Sequence, residues 1–139
     1  MNRLTVERGS ATIELVILAP AFGLVIALLV MGGRLALADQ AMDGAAAEAA
    51  RSVSLQRGQD TEAATNAARA YLDEEGLRCE GIDVQVDAEA KGTDPGAPGE
   101  ITTTVSCDVP LADLALPGIG GSRTMTATAA SPIDTFRER

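Results

Sequence analysis

The sequence of 139 residues contains no histidine, no tryptophan and only two cysteines. Histidine is the commonest general base and the commonest protein ligand of metal ions, so its absence removes the usual residue for both kinds of site. Two cysteines without histidine cannot supply the four ligands of a structural zinc site. No arrangement of a nucleophile with a neighbouring base is visible either. We therefore predict that the chain is not an enzyme and that it has no metal, no cofactor and no small-molecule substrate.

Basic and aromatic residues are also scarce. The chain has 11 Lys and Arg against 20 Asp and Glu, a net charge of −9, and three aromatic residues, Phe22, Tyr71 and Phe136. Nucleic-acid recognition depends on basic surfaces that neutralise phosphates, so the composition argues against a nucleic-acid partner. Because many of the apolar residues are alanines, little apolar area is available for burial, and we expect one modest domain with a small core.

One long stretch without charge lies near the N-terminus. The 19 residues from Leu15 to Gly33 include neither acidic nor basic side chains. At about 1.5 Å per residue, a helix of this length crosses the roughly 30 Å apolar core of a bilayer. The pattern predicts a retained, single-pass transmembrane helix over residues 10–33.

A secretory signal peptide is the alternative. Its apolar region usually runs for about 7–15 residues after a basic N-terminus, whereas the run here is longer and acidic residues accompany the basic ones before it. Ala36-Leu37-Ala38, however, is an A-x-A box of the kind that precedes signal cleavage, with Asp39 as the new N-terminus. The retained helix is the interpretation we favour.

Glu14, at the edge of this run, allows two interpretations. A carboxylate at the end of a membrane helix can reach the interface, where the positive pole of the helix dipole favours it. Alternatively, a cut after Gly9 makes Ser10 the new N-terminus, and its ammonium and the Glu14 carboxylate then lie four residues apart on one helix face. Pairing of these charges, within one chain or between neighbouring chains, makes them tolerable in lipid.

The segment around Glu14 resembles a known family. Residues 8–20 read RGSATIELVILAP. The segment has a basic residue, then a glycine, four further residues, a glutamate and an apolar helix. This order resembles the processing site of type IV pilins and pseudopilins. More narrowly, the segment resembles the TadE-like proteins of tight-adherence pilus systems, in which R-G-x-x-x-[VI]-E-[FY] precedes an apolar run with a proline six residues after the glutamate. Leu15 stands where the family usually has an aromatic residue, and four residues fall on the family's positions: Gly9, Ile13, Glu14 and Pro20.

The resemblance, which covers about residues 8–33, implies a minor pseudopilin or accessory subunit of a pilus or secretion machine. Gly9 and Ser10 would flank a cut by the prepilin peptidase. Glu14 would guide assembly with other pilus or secretion subunits. Pro20 removes one backbone N–H from the same assembly segment and loosens the helix there.

The distribution of charge indicates the topology. Residues 34–139 hold 9 basic and 18 acidic residues and so carry the whole net charge. With the short N-terminal side, this favours an N-terminus in the cytoplasm and a C-terminal part outside the cytoplasmic membrane, where Cys79 and Cys107 can oxidise. The predicted division is a cytoplasmic leader at 1–9, a transmembrane helix at 10–33 and an extracytoplasmic α+β domain at 34–139. The alternative function is a membrane-anchored or signal-cleaved extracytoplasmic binding module that recognises a partner through residues 77–135.

Helical spacing continues beyond the membrane segment and predicts one long stalk helix over residues 12–56. Its small residues form a stripe that lets a second helix approach closely, from the same chain or from another subunit: Ala38, Ala41, Ala45 and Ala49. A second helix is predicted from a cap at Asp60 or Thr61 to Gly76, antiparallel to the first.

Apolar residues then alternate with period two and predict three strands: Ile82–Val86, Ile101–Val109 and Arg123–Ala129. A hairpin that pairs Val84 with Thr102 places Cys79 opposite Cys107, and we predict a disulfide between these cysteines. The predicted fold class is α+β and pilin-like, with a long N-terminal helix, a second helix and a small antiparallel sheet of about three strands.

Overall fold

The computed structural model describes residues 8–55, 60–87, 99–114 and 120–133. It has two helices followed by three strands: α1 (Arg8–Leu55), α2 (Thr61–Glu74), β1 (Ile82–Asp87), β2 (Gly99–Pro110) and β3 (Ser122–Ile133). The predicted α+β class is therefore confirmed. Most of the predicted leader, residues 1–7, lies outside the described residues.

α1 is a single helix of 48 residues, about 72 Å long at about 1.5 Å per residue. It includes both the apolar run and the alanine stripe, as predicted, and it begins at Arg8, four residues before the predicted start. Its N-terminal part extends away from the other described residues, whereas the part from Ala38 to Ser54 packs into the outer domain. α1 is thus both a projecting stalk and the central element of the domain core.

α2 is bounded by the residues that its sequence pattern indicates. The Asp60 side chain accepts a hydrogen bond from the Ala63 backbone N–H at 3.2 Å and caps the N-terminus. At the other end Gly76 has a φ of 73°, and the N–H groups of Gly76 and Leu77 donate to the carbonyls of Asp73 and Leu72. These two bonds form a Schellman motif, which requires the left-handed conformation that glycine adopts freely.

The three strands form an antiparallel sheet in the order β1-β2-β3. Val84 pairs with Val105 and Ile82 with Cys107, so the predicted pairing of Val84 with Thr102 is wrong by three residues. An odd shift of register moves every side chain to the other face of a sheet. The observed register places Val84 and Val105 together on the buried face, whereas the predicted one pairs a buried valine with an outward-facing threonine.

α1 lies across β2 and β3, and α2 packs against α1 and β1. At the far end of the domain the Ser131 hydroxyl donates to the Ser54 hydroxyl at 3.2 Å, which connects β3 to the last turns of α1. The core between helices and sheet is small and rich in alanine; its larger members are Met42, Val53, Leu72, Val105 and Val109. The end of the domain nearer the projecting helix holds the C-terminus of α2 and the turn at Asp113 and Leu114 that follows β2.

Candidate assembly helix and its junction with the outer domain

The projecting part of α1 exposes large apolar side chains from Ile13 to Val30. Twelve of them between Ile13 and Val30 are 45–71% exposed, and no other part of the described chain covers them. The most apolar 18-residue window of the helix has a mean hydropathy of 2.7, and none of it is buried. A helix that is apolar all round is typical of a membrane span or of a segment buried by other subunits. The apolar N-terminal helix fits a membrane-anchored protein.

The predicted processing and assembly residues lie at the start of this helix. The backbone of Gly9 and Ser10 is in the first turn of α1, and Glu14 follows four residues after Ser10 on the same helical face. The Glu14 side chain is exposed. The structure brings these residues into one continuous helix, and their roles in cleavage and in assembly stay predictions.

Pro20 lies inside the projecting helix, and α1 continues through it. Because proline has no N–H, the carbonyl of Val16 lacks its usual partner within the helix. Three residues later, a side chain added at Gly23 would meet no atom within 4 Å. The segment around Pro20 therefore offers both a free carbonyl and a narrow backbone surface to any neighbouring helix.

The change from projecting helix to domain is abrupt. Leu37 is 66% exposed, whereas Ala38 is 4% exposed and begins the core. Only four residues lie between Gly33, at the end of the uncharged run, and Ala38, which is about 7.5 Å farther along the helix. The outer domain therefore begins within one and a half helical turns of the apolar segment.

The alanine stripe lies on the buried side of this junction. Ala38, Ala41, Ala45 and Ala49 all pack in the core of the same chain. The sequence left open whether the stripe packs within its own chain or against another subunit. In the structure it packs against the chain's own α2 and sheet. Any contact between subunits must then use the projecting helix or the domain surface.

A disulfide joins Cys79 to Cys107 close to the junction, as predicted, with a Cα–Cα distance of 5.5 Å. Its geometry differs from the predicted one, because Cys107 faces Ile82 in the sheet and Cys79 lies three residues before that partner. The Glu80 N–H donates to the Asp108 carbonyl at 3.0 Å and holds the chain before β1 against β2. The bond therefore connects the segment after α2 to the central strand.

Sequence reasoning missed a cleft of about 550 Å³ at the same junction. Its lining comes from three separate parts of the chain: residues 34–41 of α1, the C-terminal end of α2 with Leu77, and the turn at Asp113 and Leu114. The Oδ2 atom of Asp113 is buried and has no hydrogen-bond partner. No local sequence pattern predicts such a cleft, since it exists only where the three segments meet.

The part of the chain that the structure describes holds no group of three or more Cys, Asp or Glu residues that could bind a metal ion. Asp108, for example, accepts a hydrogen bond from Thr124 at 2.5 Å on the outer face of the sheet. The features that distinguish the chain are thus the exposed apolar helix and its junction with the domain.

A protein-family model matches part of the chain. No curated protein and no solved structure matches the chain. The matched segment starts at Gly9, includes Glu14, Pro20 and the apolar run, and ends at Arg51 within the buried half of α1. Over residues 9–51, the chain matches the family of TadE-like proteins.

Proposed function

We propose that this chain is a minor pseudopilin, a structural subunit of a tight-adherence pilus or a related secretion machine, and that it has no catalytic role. The observation that carries the proposal is the projecting segment of α1, which is apolar all round, uncovered, and continuous with the core helix of a folded domain. The match to the TadE-like family over residues 9–51 supports an association with pilus assembly.

In this proposal residues 10–33 span the cytoplasmic membrane once, with the N-terminus in the cytoplasm. The length of the uncharged run suits a bilayer core of about 30 Å. The disulfide between Cys79 and Cys107 supports an oxidising compartment for the domain, because cytosolic thiols are normally kept reduced.

Glu14 is the residue that we assign to assembly. Cleavage after Gly9 would create an ammonium group on Ser10, one turn before Glu14 in α1. A charge in the apolar part of a membrane or of a helical bundle is expensive unless it is paired. Pairing of the Glu14 carboxylate with the ammonium of a neighbouring subunit would therefore favour a defined stagger between adjacent helices.

The test is the Glu14→Ala variant, expressed in cells that carry their own pilus machinery. Glu48→Ala is the matched control, because Glu48 is an exposed glutamate on the same helix within the outer domain. We expect Glu14→Ala to be lost from the pilus or secretion fraction, with the Cys79–Cys107 disulfide still formed, and Glu48→Ala to be incorporated normally. Equal incorporation of both variants would leave a binding module as the better proposal.

The mature N-terminus gives a second test, by intact mass and peptide mapping from the same cells. A start at Ser10 is expected for a processed pseudopilin, whereas an intact N-terminus would indicate an unprocessed anchor. A start at Asp39 would indicate a signal peptide and contradict the proposal. The structure supports a retained helix, because in the folded chain Ala38 is buried within the continuous α1.

A further inference from the structure

Among the residues that the structure describes, the outer strands β1 and β3 pair with β2 on one side and with no strand on the other. The Leu111 N–H donates to the Gly121 carbonyl at 2.9 Å, which sets the direction of the backbone groups along β3. Because these groups alternate between the two sides of an antiparallel strand, the odd-numbered residues of β3 bond to β2 and the even-numbered ones point outward. Pro132 agrees, since its missing N–H then faces away from β2. The open edge of β3 therefore consists of the even-numbered residues between 124 and 130.

The open edge of β1 follows in the same way. Asp108 of β2 donates its N–H to the Gly81 carbonyl and accepts from the Glu80 N–H, both at 3.0 Å. From Gly81 onward the odd-numbered residues of β1 therefore bond to β2. The outward N–H and C=O groups belong to its even-numbered residues: Ile82, Val84 and Val86.

The two edges differ in the sign of their charge. β3 includes one exposed basic residue, Arg123, and no acidic one. Residues 80–87, by contrast, hold three exposed acidic residues and no basic one: Glu80, Asp83 and Asp87. Natural sheet edges usually carry charges or proline that prevent further pairing, and β3 has neither between Arg123 and Pro132. The edge of β3 thus complements an acidic strand such as β1, whereas two β1 edges repel each other.

We propose that β1 of a second copy of this chain adds to the open edge of β3, parallel to it, and continues the sheet. A sideways displacement of the copy, without any shift along the strands, places its Asp83 beside Thr126, because both residues lie level with Ser106. In a parallel pair, a residue bonds to the two neighbours of the residue opposite. Thr126 then donates to the Ile82 carbonyl and accepts from the Val84 N–H of the second copy, which are outward groups of β1.

The same displacement matches the two faces of the sheet. Val84 of the second copy comes beside Ala127, and both side chains lie on the buried face. Glu80 of the second copy, which bonds to the residue opposite Thr124, comes one residue from the level of Arg123. One placement therefore satisfies the backbone groups, the buried face and the charges.

The choice of β1 over a second β3 rests on the membrane span of the proposed function. β3 runs in the direction of α1, because it starts at the projecting end of the domain and Ser131 near its end bonds to Ser54 near the end of α1. Two β3 strands paired across a two-fold axis are antiparallel, so their apolar helices would point in opposite directions. Addition of β1 keeps both helices pointing toward the same membrane.

The twist of the sheet limits the assembly to two copies in one membrane. Adjacent strands are rotated by about 20–25°, so the three strand steps between equivalent strands incline the two α1 helices by about 60–75°. Membrane helices tilt by up to about 40° from the bilayer normal, which accommodates two copies and no third. Equivalent strands lie about 14 Å apart, whereas packed helices lie about 8–10 Å apart, so the apolar segments stay available to other subunits.

The test is disulfide cross-linking between two differently tagged full-length chains, one with Asp83→Cys and the other with Thr126→Cys, produced together in cells that carry their own pilus machinery. Both positions are exposed on the outer face, and adjacent strands lie about 4.8 Å apart, within reach of a disulfide. We expect a mixed dimer on mild oxidation of the membranes, with the Cys79–Cys107 bond intact as evidence of folding.

The matched control is Ala130→Cys in place of Thr126→Cys, an exposed position on the same edge and face. It lies about 13 Å farther along β3, so we expect about tenfold less mixed dimer. Equal cross-linking from both positions would overturn the register. Cross-linking between two Thr126→Cys chains, capture of a different subunit by Thr126→Cys, or no cross-link at all would overturn the addition of β1.

Carbonate washing of the same membranes separates this inference from the proposed function. A chain that is retained without the cross-link keeps its proposed function and loses the strand pairing. A chain that is washed off but still forms the mixed dimer keeps the pairing and loses the membrane anchor.

Discussion

Gly44 of α1 lies directly against the ring of Tyr71 in α2. A Cβ atom added to Gly44 would overlap the ring and the hydroxyl of Tyr71. The missing side chain at this position therefore lets the two antiparallel helices approach closely where they enter the junction. Tyr71 also lines the cleft, so the contact links helix packing to the shape of the cleft.

The effect of Gly44→Ala on the free energy of unfolding should change sign with the residue at position 71. Alanine gains about 1 kcal/mol over glycine in a helix interior, but overpacking against a ring costs about 1–3 kcal/mol. We expect Gly44→Ala to lower the free energy of unfolding by about 1 kcal/mol in the unchanged chain, and to raise it by about 0.5–1 kcal/mol in a Tyr71→Ala background. Urea unfolding of the full chain in detergent measures the four proteins of this cycle. Additive effects would mean that the two residues do not touch.

The disulfide should contribute a substantial part of the stability of the domain. It closes a loop of about 29 residues between Cys79 and Cys107, which corresponds to about 3 kcal/mol in the chain-entropy model. Cys107 is buried, so alanine is a better replacement than serine. We expect the double variant Cys79→Ala/Cys107→Ala to unfold at lower urea concentration than the oxidised chain. The unsubstituted chain with its cysteines reduced is the control, and it should show the same shift. If neither protein unfolds at a lower urea concentration than the oxidised chain, the result contradicts the disulfide.

The sequence predicts the elements of this fold better than it predicts their pairing. The spacing of Ala41, Ala45 and Ala49 and the cap at Asp60 are local signals, so both helices follow from them. The alternation around Val84 shows that one face of β1 is buried, but the face alone does not determine which residue of β2 lies opposite. A two-residue hairpin turn would have fixed the register, and 11 residues separate β1 from β2.

The functional features also divide into those that the local sequence predicts and those that depend on the folded chain. Glu14, Pro20 and the apolar run are contiguous in the chain, and the resemblance to the TadE-like family could be stated from them. The cleft at Arg34, Tyr71 and Asp113 depends on three segments that meet only after folding. The alternation and helical periods that reveal secondary structure carry no information about such a meeting point.

Because the alanine stripe packs in the core, substitutions of neighbouring alanines of α1 should differ in their effect on the free energy of unfolding. Ala49 is fully buried, whereas Ala47 is exposed two residues earlier on the same helix. Leucine at position 49 must displace the packed core and should lower the free energy of unfolding by about 1–3 kcal/mol. Ala47→Leu is the matched control and should stay within about 0.5 kcal/mol of the unchanged chain. The same urea measurement applies, and equal effects at both positions would contradict the packing of the stripe within one chain.

Thr103 should be replaceable by valine with a gain in stability. Its side chain is fully buried on the inner face of β2, and its hydroxyl has no hydrogen-bond partner. An unsatisfied buried hydroxyl costs about 1–3 kcal/mol, and valine has nearly the same shape without that group. We expect Thr103→Val to raise the free energy of unfolding by about 1 kcal/mol.

Thr104→Val is the control on the opposite face of the same strand. The Thr104 hydroxyl lies 3.1 Å from that of Thr128 in an exposed pair, so its loss should change stability by less than about 0.5 kcal/mol. Because an odd shift of register would turn the odd-numbered residues of β2 away from the core, the two substitutions also distinguish the observed register from the predicted one. A gain at position 104 and a loss at position 103 would mean that the faces of β2 are reversed.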